Sequence, residues 1–203
     1  MKSGQYDIWR QSLIVMMRGK WHFCTVSHCD GIIWLSPLSF YYGETVLYNP
    51  GIREFKFLPG SCLAEAYSLG RFILVQGEGF GYDSKVNDYK FIRILSNWRS
   101  NECIAELYSM ASDSWREIRS DMKFGHALCG GNRVVVCWKG FFYWVVKVPD
   151  IILAFEMSSD EFHSIQLTVP HNVDQVDALP STRKILAVWN ESVAHLRRSS
   201  YMY

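Results

Sequence analysis

An all-β, propeller-like stack of small antiparallel sheets is predicted by three features of this 203-residue sequence: a hairpin signature that recurs three times, a spacing between recurrences close to one propeller blade, and no stretch with helical periodicity. The first signature sets Tyr48 before Asn49-Pro50-Gly51, then Phe55 and Leu58. The second sets Tyr108 before Ser112-Asp113-Ser114, then Trp115 and Ile118, and the third sets Phe155 before Ser158-Ser159-Asp160, then Phe162 and Ile165. The aromatics stand seven residues apart each time (55 − 48, 115 − 108, 162 − 155), and the aliphatic follows by three (58 − 55, 118 − 115, 165 − 162). Recurrences begin 108 − 48 = 60 and 155 − 108 = 47 residues apart, against roughly 40 to 50 residues per propeller blade, with loops absorbing the excess. A β-sandwich of similar hairpins is the alternative architecture, since many short strands with regular turns suit both.

Each signature reads as a β-hairpin, because β-branched and aromatic residues flank a cluster of Asn, Pro, Gly, Ser and Asp able to close a turn. The two aromatics are expected to meet across the strands or to pack on the next sheet. Between the first two units, Gly79-Phe80-Gly81-Tyr82-Asp83 turns through Ser84 to Asn87 into Asp88 to Ile94, where Tyr89, Phe91 and Arg93 alternate with Lys90, Ile92 and Ile94. Gly79-Phe80-Gly81 has neither the serine of a nucleophile elbow nor the third glycine of a dinucleotide loop, so these glycines are read as letting the strand pass close to a neighbour. Around the third unit, Arg133 to Trp138, the turn Lys139-Gly140, Phe141 to Val146, the turn Pro149-Asp150 and Ile151 to Met157 form a meander. Trp115, Trp138, Trp144 and Trp189 fall inside strands and are expected in the core. The loops expected are Ser36 to Gly43, Pro59 to Gly70, Ser96 to Glu102, Ser120 to Asn132 and Thr168 to Lys184, and loops are where a scaffold of this kind places its binding face.

Composition narrows the function classes. Twenty-one Lys and Arg against twenty Asp and Glu leave a formal charge of +1, which gives no sequence-wide attraction for nucleic acid or an anionic membrane. The basic tail His195, Arg197, Arg198 is too small to reverse that. The apolar run Leu13 to Met17 is far too short to span a bilayer. Six cysteines without paired spacing (Cys24, Cys29, Cys62, Cys103, Cys129, Cys137) are expected as reduced thiols. His22, Cys24, His28 and Cys29 cluster, but no second ligand pair follows at a convincing spacing, so no zinc site is assigned. His126, His163, His171 and His195 have no acidic partner visible in sequence and are read as surface or strand histidines. No catalytic, cofactor-binding or metal-binding residue is assigned, and the chain is not expected to be an enzyme.

Taken in order over about Cys29 to Leu196, a set of segments resembles the F-box-associated domain of plant F-box proteins, whose fold is propeller-like (kelch-like). They are Cys29-Asp30-Gly31-Ile32-Ile33, Tyr48 to Phe55 through Leu58-Pro59, Gly79 to Asp83, Asp88-Tyr89-Lys90, Ser114 to Ile118, Lys139 to Trp144 and Asn190-Glu191-Ser192. Arg53 to Leu63 and Phe155 to Leu167 look most like the S-locus F-box proteins of pollen self-incompatibility. The resemblance implies a substrate-recognition module of an SCF-type ubiquitin ligase, acting in the cytoplasm or nucleus, that presents a protein target for ubiquitination; for the S-locus subfamily that target is a non-self S-RNase. It implies a Skp-type adaptor and cullin as partners where an F-box is present in a longer parent. Residues 1–28 show no F-box pattern and read as a lead-in; residues 29–203 read as the β-repeat domain, expected to be incomplete at its C-terminus. The alternative is a non-catalytic β-repeat binding domain, truncated or a decoy, that recruits no ligase. Candidate protein contacts are Trp98, Arg99, Asp121, Lys123 and Arg133, since Trp and Arg are enriched at interface hot spots.

Overall fold

Two kinds of tight turn cut the chain into strands. The computed structural model describes residues 23–37, 45–63, 73–97, 103–119, 135–146, 150–167 and 183–198, and every regular element among them is a β-strand. Asp30-Gly31, Lys139-Gly140 and Asn190-Glu191 are two-residue loops with both φ angles positive (47° and 82°, 46° and 83°, 44° and 59°). That is the type I′ geometry whose twist matches the flanking strands. Residues 50–53, 84–87, 110–113 and 157–160 form four-residue turns, and each ends on a left-handed residue: Arg53, Asn87, Asp113 and Asp160, with φ of 59°, 55°, 49° and 59°. Side-chain carboxyl or amide oxygens begin two of them, Asn49 Oδ1 accepting from Gly51 N at 2.9 Å and Asp83 Oδ1 from Lys85 N at 3.0 Å.

The strands so defined fall into consecutive antiparallel meanders. β1 (Phe23–Cys29), β2 (Ile32–Pro37), β3 (Val46–Asn49) and β4 (Glu54–Phe57) form the first sheet in chain order. β5 (Ile73–Asp83), β6 (Asp88–Asn97), β7 (Cys103–Ser109) and β8 (Ser114–Ile118) form the second; β9 (Val136–Trp138), β10 (Phe141–Val146), β11 (Ile151–Glu156) and β12 (Glu161–Gln166) form the third. β13 (Arg183–Trp189) and β14 (Ser192–Arg198) make a hairpin. Its type I′ turn matches the one that joins the first two strands of sheets one and three. β1 packs on β5, β5 on β9 and β9 on β13, so the first strands of successive sheets follow one another, as in the blades of a propeller. Three complete blades and the first hairpin of a fourth are described, without a closed ring.

The recurring aromatics are direct cross-strand partners: Tyr48 with Phe55, Tyr108 with Trp115, Phe155 with Phe162. Their ring centroids lie 4.2, 5.5 and 4.7 Å apart. The offset of seven follows from the four-residue turn, which leaves one residue pair between the turn and the aromatics. Strand alternation then divides each blade into two faces. Trp34, Leu47 and Leu58 of the first blade bury with Phe80, Phe91 and Tyr108 of the second. On the other face of the second blade, Ile92, Ile94, Ala105, Leu107 and Ile118 bury with Phe142, Trp144, Val146, Ile151, Leu153, Phe155 and Met157 of the third. In both joints the signature aromatic of a blade faces the blade before it.

The second joint is unusually close on the β5 side. A Cβ at Gly79 would stand 2.8 Å from Phe142 Cδ1, and one at Gly81 would stand 2.6 Å from Cys137 Sγ. The close pass expected of these glycines is therefore realised, with Phe142 and Trp144 seated on bare backbone and Trp144 Nε1 donating to Glu78 O at 3.3 Å. The expectation that all four strand tryptophans lie in the core fails for Trp189, which is 76% exposed, while Trp144 is buried and Trp115 and Trp138 are half-buried. Trp189 sits on the hairpin of the fourth blade, and no third or fourth strand of that blade is among the described residues.

Candidate protein-binding surfaces

Charged residues at the tight-turn end of the blades are committed to holding neighbouring blades together. Lys56 of β4 pairs with Asp113 at 3.0 Å, and Arg116 of β8 pairs with Asp160; in each case a cation one residue beyond the second aromatic meets the left-handed Asp in the next blade's turn. Lys85 reaches Glu156 at 3.3 Å and Ser158 Oγ at 2.9 Å, Tyr89 OH donates to Asp30 at 3.4 Å, and Lys139 lies 3.7 Å from Glu191. The Ser158 hydroxyl and Lys85 hold the Glu156 carboxyl below the usual carboxylate range, and Tyr108 and Lys56 do the same for Asp113. These pairs are solvent-exposed and contribute little to stability singly. Their effect is to align the blades and to engage several of the charged side chains at this end with one another. The strand ends at Pro37, Asn97, Ile118 and Gln166 lie at the opposite end, where the longer connections leave the sheets.

Between the first two blades lies a closed polar cluster. Arg93, 2% exposed, has Nε 3.5 Å from Glu78 and Nη1 3.4 Å from Glu106, donates from Nη2 to Thr45 Oγ1 at 2.6 Å, and packs against the rings of Phe91 and Trp115. Ser36 donates to Glu78 at 2.8 Å and Ser61 donates to Glu106. Burial pushes the Glu106 carboxyl up, against the pull of Arg93, Ser61 and Cys62. Glu106 is fully buried, so this cluster offers no acid or base to an incoming substrate and serves the joint. A second crosslink joins blades two and three: Lys90 pairs with Asp83 at 2.8 Å and donates to the Met157 carbonyl. Burial alone would raise Asp83, but Lys90 and the Lys85 amide hold its carboxyl below the ordinary value.

Nothing among the described residues gathers three metal-capable side chains. Cys29, Cys62 and Cys137 are free thiols. His163 stands on β12, 4.0 Å from the Glu156 already held by Lys85, and His195 lies half-buried opposite Leu186 on β14. No helix is long and apolar enough to cross a membrane among the described residues.

Apart from Val86, Met110 and Ile165, the exposed large hydrophobics among the described residues collect at two places. One is the outer edge of the first blade, where Ile52, Phe55 and Phe57 face solvent; the other is the fourth hairpin, with Ile185, Val188, Trp189 and Leu196. Neither was singled out from sequence. Phe57 repeats the alternation of Phe55 on one side of β4, a pattern visible in Glu54-Phe55-Lys56-Phe57, but whether a neighbour covers that side depends on the stack. The sequence-derived contacts Trp98, Arg99, Asp121, Lys123 and Arg133 all lie outside the described residues.

Consecutive four-stranded meanders packed first strand on first strand are the pattern of a propeller, and over residues 7–201 the sequence matches the F-box associated beta propeller domain. The chain belongs to this family. Among curated relatives of this F-box associated domain, Putative F-box only protein 15 of Arabidopsis thaliana is 25% identical over 162 residues, covering 76% of this chain and 40% of the relative. F-box protein At3g08750 of the same plant is 27% identical over 146 residues, covering 68% of this chain and 36% of its own length. F-box protein At5g42460 is 25% identical over 183 residues, covering 87% and 44%. The F-box associated domain described here thus spans about two-fifths of the length of the curated relatives it matches.

Proposed function

We propose that this F-box associated domain is the target-recognition module of an SCF-type ubiquitin ligase, holding a protein for ubiquitination while other subunits carry out the transfer, in the cytoplasm or nucleus. The observation that carries the reading is the family match over residues 7–201, together with curated relatives named F-box proteins. The domain binds through the connections at the end of the blades opposite the tight turns, because several charged side chains at the turn end are already engaged in inter-blade pairs and longer connections are where a scaffold places its binding face. Trp98, Arg99, Asp121, Lys123 and Arg133 belong to connections between β6 and β7 and between β8 and β9, and are the contact residues of this reading. A Skp-type adaptor and cullin join through an F-box carried by a longer parent. The finer reading, an S-locus receptor whose target is a non-self S-RNase, is supported by the likeness of Arg53 to Leu63 and Phe155 to Leu167 to that subfamily.

The test is cross-linked capture of target from plant extract by the purified chain and by its Trp98→Ala/Arg99→Ala and Asp121→Ala/Lys123→Ala/Arg133→Ala variants. Selective loss of a target from the variants is the expected result, and capture indifferent to all five substitutions contradicts the assigned face. Purified S-RNase settles the finer reading separately: no saturable binding removes that target and leaves the recognition module standing. If a longer parent carrying this domain fails to retain the Skp-type adaptor, the chain is instead a binding module outside any ligase.

A further inference from the structure

One row of charged side chains runs across the second blade on the side facing the first. Strand register sets Glu78 of β5 opposite Arg93 of β6, Arg93 opposite Glu106 of β7, and Glu106 opposite Glu117 of β8. Glu106 therefore stands between a cation that it shares with Glu78 and a further acid. Like charges directly opposite each other on a sheet are unfavourable. Glu117 is exposed and lies 3.9 Å from Arg119, whereas Glu106 is fully buried. Its cover is the segment that leaves the first blade. Residues 59–63 cross the second blade from its outermost strand inward: Trp115 Nε1 on β8 donates to Pro59 O at 2.7 Å, Ser61 donates to Glu106 on β7, and Leu63 buries with Leu95 of β6 and Val75 of β5. Ser61 Oγ also accepts from Leu63 N at 2.9 Å, so one hydroxyl shapes the segment and attaches it. Between the buried Ser61 and Leu63, Cys62 is exposed, and its Sγ lies 3.8 Å from Glu106 Oε2. A single layer of side chain thus separates the carboxyl from solvent.

We propose that Glu106 is a proton-controlled clasp on this segment: with the carboxyl protonated, residues 59–63 stay seated on the second blade, and when it ionises they lift at Ser61 and admit water to the charge. The inference does not depend on what the domain captures. Charge sets the direction. With Glu106 ionised, the row holds three carboxylates against one guanidinium, and a buried charge without full compensation is costly. Among the described residues, the groups that meet this row from the first blade and its exit are Ser36, Thr45, Ser61 and Cys62, which bring hydroxyls and a thiol and no cation. Burial accordingly pushes the Glu106 carboxyl up, against the pull of Arg93, Ser61 and Cys62. A value raised in the closed state means that closing takes up a proton, so rising pH favours the open segment. Opening at Ser61 also frees the Leu63 amide, which donates to that hydroxyl.

The experiment follows amide hydrogen exchange of the full chain between about pH 5 and 8, each rate taken relative to the intrinsic rate at that pH. The Leu63 amide reads the clasp, and the amides of Ile92 and Leu107, both fully buried, read global unfolding. Leu63 is expected to exchange through an opening that leaves Ile92 and Leu107 protected, and its protection is expected to fall about tenfold or more across this range. Glu106→Gln, neutral at every pH, should abolish the fall. Glu117→Gln changes only an exposed position and removes the facing acid, so it should reduce the fall. Circular dichroism checks that both variants fold, and should Glu106→Gln not fold, Glu117→Gln decides alone. Leu63 protection that is constant with pH in the wild type overturns the proposal, as does a fall that persists undiminished in the folded variants. So does Leu63 protection equal to that of Ile92 and Leu107 at every pH, which would leave global unfolding as the only opening.

Discussion

Gly79 shows most directly how a single side chain, or its absence, sets the distance between two blades. Any Cβ there meets the face of Phe142, which is itself fully buried and has nowhere to retreat. Gly79→Ala is expected to destabilise the chain by about 1–3 kcal/mol in urea titration, the usual cost of overpacking a filled core. Gly60→Ala, where an added methyl would meet nothing within 4 Å, is expected to leave the midpoint unchanged. Glu106 governs a pH dependence. Burial raises its pKa in the fold above the unfolded value of about 4.3. A raised value means that the folded state holds the proton more tightly, so the associated stability is fully present below the unfolded pKa and is lost as pH rises through the folded one. Urea midpoints measured at increasing pH from the ordinary carboxylate range upward should fall more steeply for the wild type than for Glu106→Gln; parallel profiles would contradict the burial argument.

The hairpin is the element that the sequence displays most openly. Offsets of seven and three residues were legible because a four-residue turn with a left-handed last residue fixes the partner of each aromatic, and turn chemistry is local. The short turns were legible too: Lys139-Gly140 takes the type I′ form, with Gly140 at φ 83° and open space where a Cβ would stand. Gly140→Ala therefore carries only a backbone cost, about 1–2 kcal/mol for an L-residue held in the left-handed region, and thermal melting should show that loss without any change in the strand signal. What the sequence did not display was the environment of each hairpin. Trp189 and Ile165 follow the same alternation as buried residues, and their exposure depends on whether another blade stands alongside, which alternation cannot encode. The inter-blade pairs Lys56–Asp113 and Arg116–Asp160 were hidden for a similar reason: they join residues 57 and 44 positions apart (113 − 56, 160 − 116), and only the stack makes them neighbours.

At the scale of the whole molecule the joints divide the labour. Burying a side chain such as Phe142 or Phe155 is worth about 1.5–3 kcal/mol, so the apolar faces hold the blades together while the exposed charge pairs set their alignment. The candidate contacts named from sequence fall in connections beyond the described strands, and they rest on residue chemistry and loop position, not on geometry. The central claim is that target is held at the end of the blades away from the tight turns. Amide hydrogen exchange on the full chain, alone and bound to a target it has captured, tests this most directly. The account predicts slowed exchange in residues 98–102 and 120–134, with turns 84–87, 110–113 and 157–160 unchanged; protection confined to those turns, with the connections unaffected, would contradict it.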